Sequence, residues 1–377
     1  MTEKRFNLRF SGFDGEWNET TLSDIATFSK GKGISKKDIS DDGIECVRYG
    51  ELYTKYTEMI YNVDSKTNLD ENELQLSEKY DILIPCSGET AIDLATASCI
   101  QKDQVAIGGD ITIIKTNQYA PFITYYLNQK KTEIAKYAQG VSIVHLYPKD
   151  FNVLNIKIPL IKEQKKIVHI LEKISYKEQL LEKKLKSYQD FKKYLMQQIF
   201  TQKLRFDFND EWKQYKLKDL LTVKSSSISI NQLEDNTGTY PLYGASGFLK
   251  NIDFCEMETD YISIVKDGSG VGNLSYHEKN SSIVNTSQYL LPKKNFDIHF
   301  LYYLLQTLNL LKYVNGSSIP HIYFKEYCIE KVNVPSLPEQ QQIGKLFADT
   351  DKTMENINNC INITKEFKKG LLQQMFV

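Results

Sequence analysis

The chain has 377 residues, of which 41% are hydrophobic and 25% charged, and its formal net charge is -1. This composition excludes intrinsic disorder and collagen-like repeats, and the length suits two or three domains, each able to bury a core. The near-neutral charge excludes a uniformly basic nucleic-acid coat, so any such surface has to be local.

The head of the chain, LRFSGFDGEWNETTLSD from Leu8, leads into short β-branched or aromatic runs separated by turn signals, such as YDILIPC and QVAIGGDITIIK. These runs predict strands of a mixed sheet. Between them lie Gly/Ser/Tyr/Lys-rich stretches read as loops: SKGKGISKKD (29–38), VRYGELY (47–53) and PCSGETA (85–91). An amphipathic helix is predicted over Pro121 to Ala138. GVSIVHLYPKD (140–150) follows, and then a long helix behind Pro159, where proline is tolerated. Its apolar positions Ile167, Leu171, Ile174, Leu181, Leu185, Tyr188, Leu195 and Ile199 alternate in steps of four and three, with Glu178 and Lys192 as polar interruptions. That is a heptad seam, and from Ile167 to Phe200 it predicts a helix about 50 Å long.

The same order then returns. LRFDFNDEWKQYKLKD begins at Leu204, and strand-like runs DYISIVKDGSG and SSIVNTSQYLL follow, with loop-like YPLYGASGF (240–248) and VKDGSGVGN (265–273) between. A second helix is predicted over Asp297 to Val314. GSSIPHIYFKE (316–326) lies over GVSIVHLYPKD, so Gly140, Ser142, His145, Tyr147 and Lys149 recur. Pro159, Glu163, Gln164 and Ile167 recur as Pro335, Glu339, Gln340 and Ile343 at an offset of 176 residues. The second seam is Ile343, Phe347, Met354, Ile357, Ile361, Leu371 and Met375, interrupted at Thr350, Thr364 and Lys368. FKKYLMQQIF (191–200) returns as FKKGLLQQMF (367–376).

Self-similarity on this scale fixes the architecture. The expected fold is α+β: two globular α/β-mixed domains, residues 1–157 and 204–333, joined by two long helices, 158–203 and 334–377, with an internal two-fold pseudo-repeat. Each seam needs an apolar partner of equal length, and the other copy is that partner. Because the second domain leaves one helix and returns to the other, the helices are expected to pair antiparallel.

Catalytic motifs are missing. GSGVGN (268–273) precedes a strand-like segment rather than a helix, so it reads as a turn and not a dinucleotide loop. No GxxxxGK[ST] occurs, and no Asn/Asp/Ser-Pro-Pro-aromatic motif of amino-methyl transfer. Glu182 with Lys184 and Glu366 with Lys368 lie within the heptad helices, where exposed charge is ordinary. The cysteines at 46, 86, 99, 255, 328 and 360 form no CxxC pair and no metal-ligand spacing, so reduced thiols are expected, without a zinc site or disulfides. No apolar run is long enough to span a bilayer, and MTEKRFNLRF lacks the apolar core of a signal peptide, so the expected location is the cytoplasm. The recurring Ser142/Ser318, His145/His321, Tyr147/Tyr323 and Lys149/Lys325 have two readings. One is structural, a Gly turn, a capping serine and a buried histidine fixing the junction of domain and helix; the other is nucleic-acid contact.

IPLIKEQKKIVHIL and VPSLPEQQQIGKLF, the paired decapeptides, Glu16-Trp17 and Glu211-Trp212, YPLYGASG, and the order domain, helix, domain, helix together resemble the specificity (S) subunits of Type I DNA restriction-modification systems of bacteria and archaea. The resemblance covers nearly the whole chain. It implies that each globular part is a target recognition domain reading one half of a split double-stranded DNA sequence. The helices would set the spacing and dock two methyltransferase (M) subunits, with restriction (R) subunits joining the complex. S-adenosylmethionine would then belong to M, and ATP and Mg to R, leaving this chain a non-catalytic subunit with no cofactor.

Recognition domains of this family vary in their reading surfaces, so side-chain chemistry ranks the candidates instead. Arg48 is suited to bidentate binding of guanine, and Lys266 and Asn273 with Ser and Tyr groups serve the second domain, which has no arginine beyond Arg205 at its head. Lys36, Lys37, Lys224 and Lys250 suit phosphate. The wider set adds Tyr49, Ser87, Thr90, Ser142, His145, Tyr147, Tyr243, Ser246, Ser269, Ser318, His321 and Tyr323. The competing expectations are a coiled-coil scaffold joining two protein-binding domains without a DNA role, and a self-contained nuclease.

Overall fold

A computed structural model describes residues 8–140, 144–233, 236–316 and 318–376. The chain divides into a first unit of residues 1–180 and 361–377 and a second of residues 181–360. Both long helices therefore contribute to both units.

The recurring elements of the first unit are β1 (Asn18–Thr21), β2 (Ala26–Lys30), β3 (Ile82–Pro85), β4 (Ser98–Ile100), β5 (Ile111–Thr116), α1 (Ala120–Gln129) and β6 (Asn155–Ile158), followed by the long helix α2 (Ile161–Phe200). Their counterparts in the second unit are β7 (Lys213–Lys216), β8 (Leu221–Ser225), β9 (Tyr261–Val265), β10 (Leu274–His277), β11 (Ser287–Pro292), α3 (Ile298–Gln306) and β12 (Lys331–Val334), then α4 (Leu337–Met375). The central sheet runs β2-β5-β3-β4 in the first unit, extended by Met59–Ile60, and β8-β11-β9-β10 in the second. Registers match in kind: Ile113 faces Leu83, and Leu290 faces Ile262. The central strands β3 and β9 are buried along their whole length, which is why ILIP and YISIV read as continuous rather than alternating strands. A two-stranded antiparallel ladder, β1 with β6 and β7 with β12, ties the head of each domain to its end. The α+β class and the internal pseudo-repeat are as expected.

Outside this frame the units differ. The first inserts a four-stranded sheet (Ala106–Ile107, Ile44–Val47, Lys66–Thr67, Ile39–Ser40), and the second a three-stranded one (Gly247–Ile252, Tyr240–Gly244, Ser282–Ile283). Two stretches expected to be loops are regular. VRYGELY contains a helix, Tyr49–Thr54, because Glu51 accepts from the Arg48 backbone N–H (2.9 Å) and so caps it. YPLYGASGF is a hairpin, with Gly247 at a φ of 111° supplying the left-handed turn. The two predicted domain helices are shorter than expected. α1 stops at Gln129, where Asn128 donates to the carbonyls of Ala97 and Thr124, and the chain resumes in short turns at Lys131–Ile134 and Ala135–Tyr137. α3 stops at Gln306, where the N–H groups of Thr307 and Leu308 close tighter bonds on Leu304 and Leu305.

At 40 and 39 residues, each long helix extends about 60 Å, beginning a turn and a half before the first seam residue. Within the first unit the head of α2 (Ile167, Val168, Leu171) shares a core with the tail of α4 (Leu372, Met375). Within the second, the tail of α2 (Leu195, Ile199) shares a core with the head of α4 (Ile343, Phe347). In both places the helices run antiparallel. The seam is deepest at these ends; Ile174, Leu181, Leu185, Tyr188, Met354 and Leu371 are half-buried, and Ile357 and Ile361 are buried.

The repeated decapeptide now has a packing role. Phe200 stacks on Phe347 (centroids 6.1 Å apart) and tilts against Phe300, which Trp212 meets edge-on. Phe376 stacks on Phe122 at 5.2 Å and meets Trp17 edge-on. Each helix tail thus closes over the Glu-Trp head of a unit.

Candidate nucleic-acid interface

In the first unit a cleft of about 880 Å³ is lined by Lys36, Lys37, Arg48 and Tyr49, with Gly108 and Gly109 forming part of its wall. Four of the candidate residues are brought together here. Lys36 and Lys37 are exposed on a single turn, Lys36–Asp38, that is capped when Ser35 donates through its N–H (2.8 Å) and hydroxyl (2.6 Å) to Asp38. Those bonds hold the Asp38 carboxyl below the usual carboxylate range. Glycine is required beneath the cleft: a β-carbon on Gly31 would lie 2.1 Å from the Gly108 carbonyl oxygen.

Arg48 is three-quarters buried, and its Nε lies 3.8 Å from Glu51. Burial raises the Glu51 pKa, but bonds from Lys55 (2.8 Å), Ser65 and the Arg48 N–H outweigh it and hold the carboxyl below its ordinary value. These bonds hold the Glu51 carboxylate beside Arg48, whose Nε is buried without a hydrogen-bond partner, and Tyr49 next to it is exposed.

Next to the cleft, Tyr53 sits against Gly88, where a β-carbon would lie 3.8 Å from its ring. The strand Ser87–Gly88 pairs with Val144–His145, and the Ser87 hydroxyl is 3.2 Å from His145 Nδ1. Thr90 caps the short helix Ala91–Leu94. Tyr147 stacks on His145 and is flanked by the ammonium groups of Lys30 and Lys149, each 5.7 Å from its ring. Ser142 lies outside the described residues.

The second unit repeats this last arrangement. His321 bridges to Asp267 and Asn315, as His145 does to Ser87 and Gln139. Tyr323 packs on His321 at 5.0 Å, with Lys325 5.5 Å over its ring. The glycine before each histidine has positive φ, 127° at Gly140 and 89° at Gly316. Both histidines are half-exposed, which corrects the buried histidine of the structural reading.

The loop bearing Lys266, Ser269 and Asn273 is pinned beside His321, since Gly268 N–H donates to Pro320 and Ile322 N–H to Lys266, both at 2.8 Å. Ser269, Asn273, Ser318 and Tyr323 are exposed, and Lys266 pairs with Asp267 at 3.5 Å. Lys224 and Lys250 are engaged within the unit, donating to the carbonyls of Glu256 (3.0 Å) and Leu233 (2.6 Å). Tyr243 packs on the buried His277 at 4.3 Å, and Ser246 is exposed at the hairpin tip. Burial pushes the His277 pKa down to about 4, and its Nε2 is 2.9 Å from the Ser263 hydroxyl. Among the described residues no group of three His, Cys, Asp or Glu stands together as a metal site.

What holds these surfaces in place went unassigned in the sequence. Arg9 grips the buried Glu163 through two bonds (2.9 and 2.7 Å), and Arg205 grips the buried Glu339 (3.1 and 2.7 Å). Each bond set raises its arginine's pKa. The adjacent glutamines act as hinges: Gln164 accepts from the Tyr119 N–H and donates to Pro159, and Gln340 accepts from the Asp297 N–H and donates to Pro335. Each long helix is thereby locked to the start of the domain helix before it. The repetition of Glu-Gln and of Leu-Arg-Phe was the available signal.

Duplicated α+β units on one clamped frame, each with its own glycine-lined loops and each completed by both long helices, define an internally repeated domain-helix-domain-helix protein. The chain belongs to the Type I restriction-modification specificity subunits: the family described as "Type I restriction modification DNA specificity domain" matches residues 14–187 and 209–365. Among curated relatives it is similar to the Type I restriction enzyme MjaVIII specificity subunit of Methanocaldococcus jannaschii, 28% identical over 182 residues covering 44% of this chain and 42% of that one. The putative MjaX specificity subunit of the same organism is 26% identical over 44% of this chain and 46% of its own length. The chain spans less than half the length of both relatives in these matches. The putative type I specificity subunit S.MpnORF365P of Mycoplasma pneumoniae is 22% identical over 64% of this chain and 91% of its own. The same fold is found in the S subunit of the Type-I restriction-modification system from M. genitalium, with a TM-score of 0.74 at 18% identity over 99% of both chains. No described helix is long and apolar enough to cross a membrane.

Proposed function

We propose that this chain is a non-catalytic subunit that reads a split double-stranded DNA target, one half with each unit, and seats two methyltransferase subunits through which restriction subunits join. The observation that carries this reading is the cleft of Lys36, Lys37, Arg48 and Tyr49. It borders the smaller sheet of the first unit, and neither its lysine pair nor its arginine is repeated at the smaller sheet of the second. Arg48 supplies the bidentate donor set that recognises guanine O6 and N7, and the exposed lysine pair supplies phosphate contacts. In the second unit the loop of Lys266, Ser269 and Asn273, which meets His321 as Ser87 meets His145, supports the same reading.

The tail of each long helix is repeated in sequence and in packing, so it offers equivalent seats to two copies of one partner. In this reading S-adenosylmethionine belongs to the methyltransferase, and ATP and Mg to the restriction subunits. The complex works in the cytoplasm, where its DNA is.

The test is methylation mapping of cells carrying the chain with its methyltransferase. A split motif appears that is missing from cells lacking the chain. Exchanging residues 213–333 for those of a relative changes one half of that motif and leaves the other; a change in both halves, or in neither, rejects the division.

A further inference from the structure

Two kinds of residue face outward around the candidate interface. The cations Lys36, Lys37 and Arg48 are not repeated in the second unit. His145, Tyr147 and Lys149 recur as His321, Tyr323 and Lys325, in the same order and spacing and with the same histidine-tyrosine-lysine packing. In both units the tyrosine leaves a tight turn, packs on the histidine and carries a lysine ammonium against its ring, 5.7 Å away in one unit and 5.5 Å in the other. Both tyrosines are 39% exposed, and both lysines are exposed. Packing among themselves gives no reason to keep cations and aromatic edges in solvent twice. The nearby carboxylates are occupied: Asp150 accepts from the Tyr147 N–H at 2.8 Å and Glu326 from the Tyr323 N–H at 3.4 Å.

The element also has a fixed neighbour. In the first unit it is paired to Ser87–Gly88 beside the Arg48 cleft, and in the second to the Lys266–Asn273 loop. An unvarying group thus adjoins a varying one in both units. If the units read different half-sites, the same three side chains packed in the same way do not distinguish them. What both half-sites share is the sugar-phosphate backbone.

We infer that the repeated His-Tyr-Lys element at 145–149 and 321–325 is a sequence-independent grip on duplex phosphates, which sets the depth and register at which the adjoining unshared loop meets base edges. Lys149 and Lys325 neutralise phosphate, and the tyrosine hydroxyls donate to it. Lys30, over the other face of Tyr147, adds a second cation in the first unit. This rests on the DNA-reading function proposed above, and its test separates the two.

The full chain with its methyltransferase is titrated with a duplex carrying the mapped target, and with duplexes scrambled in either half, across a salt series. Lys149→Ala and Lys325→Ala each lower the slope of log affinity against log salt by about 0.9, and the double variant by about twice that. The preference for target over either scrambled duplex stays unchanged, and Lys149→Arg restores the slope. Arg48→Ala gives the opposite pattern, losing preference for one half-site. If Lys149→Ala alters discrimination in one half, or leaves the slope unchanged while the target binds, the inference is overturned. Absence of target binding by the unaltered complex at low salt instead rejects the DNA-reading function, and the inference with it.

Discussion

The first and second units share a frame and differ in what the frame carries. Shared are the four-stranded sheet, the arginine-glutamate grip, the glutamine hinges, the tail decapeptide and the His-Tyr-Lys element. The smaller sheets share one parallel pair, Ile44–Val47 with Ala106–Ile107 and Tyr240–Gly244 with Ser282–Ile283, and differ in what is added to it, Lys66–Thr67 and Ile39–Ser40 in one unit and Gly247–Ile252 in the other. Selection for packing acts alike on both halves of a duplicated chain, whereas selection for reading different sequences acts on each half alone. Repetition therefore marks what builds the protein, and its loss marks where the two halves were given separate tasks.

The largest test of this comparison is removal of the shared grip. Glu163 and Glu339 are buried while their arginines reach solvent, so Glu163→Ala and Glu339→Ala should each cost about 3 kcal/mol. The two tryptophans fall one to a unit, and Trp212 donates to Glu339. Denaturant unfolding followed in Trp212→Phe and Trp17→Phe backgrounds should show Glu163→Ala shifting the Trp17 transition and Glu339→Ala the Trp212 transition. Unequal costs would break the equivalence of the frames.

A difference of similar size is expected in acid, and in one unit only. His277 has a folded pKa of about 4 because it is buried, below the ordinary value of about 6.5. The unfolded chain binds the proton more readily, so the second unit should lose about 3 kcal/mol as pH falls from about 6.5 to about 4, with full stability above that window. Thermal unfolding at pH 7 and pH 5 should show the loss in the Trp212 signal, and His277→Asn should flatten it.

Arg48→Ala addresses an unshared residue. It should reduce discrimination at one guanine of the first unit's half-site by about 2 kcal/mol, close to thirtyfold, with the other half-site unaffected. Competition binding with singly substituted duplexes measures it.

The smallest effect concerns Lys192 and Lys368. Lys192 bonds Asp351 at 2.6 Å beneath Tyr303, and Lys368 bonds Glu58 at 3.0 Å beneath Tyr125. Replacing either by Ala should cost about 1 kcal/mol in its own unit.

Much of the frame was legible in the sequence because it is written twice. Heptad spacing located both long helices, and matched decapeptides made them partners. The apolar runs of β3 and β9 and the Gly turns before His145 and His321 were equally visible. The grip was present but mute: Leu-Arg-Phe and Glu-Gln repeat at different offsets, and only folding brings Arg9 to Glu163. Lys192 and Lys368 looked like flaws in a seam, since heptad spacing cannot show that a lysine stem reaches past the helix to a domain carboxylate. The unshared surfaces were least legible. Nothing in the linear order indicates that Lys36 and Arg48 border one cleft, or that Lys224 and Lys250 are held by carbonyls of their own unit.

The N–H of Leu8 donates to the carbonyl of Gln374 at 3.1 Å, beside the packing of Phe376 on Phe122 and Trp17. The second unit is one uninterrupted stretch, residues 181–360, whereas the first joins residues 1–180 to residues 361–377. The first unit therefore stays incomplete, its aromatic cavity open, until residues 361–376 plug it. Loss of residues 361–376 would therefore injure the first unit while leaving the second unit's own residues whole.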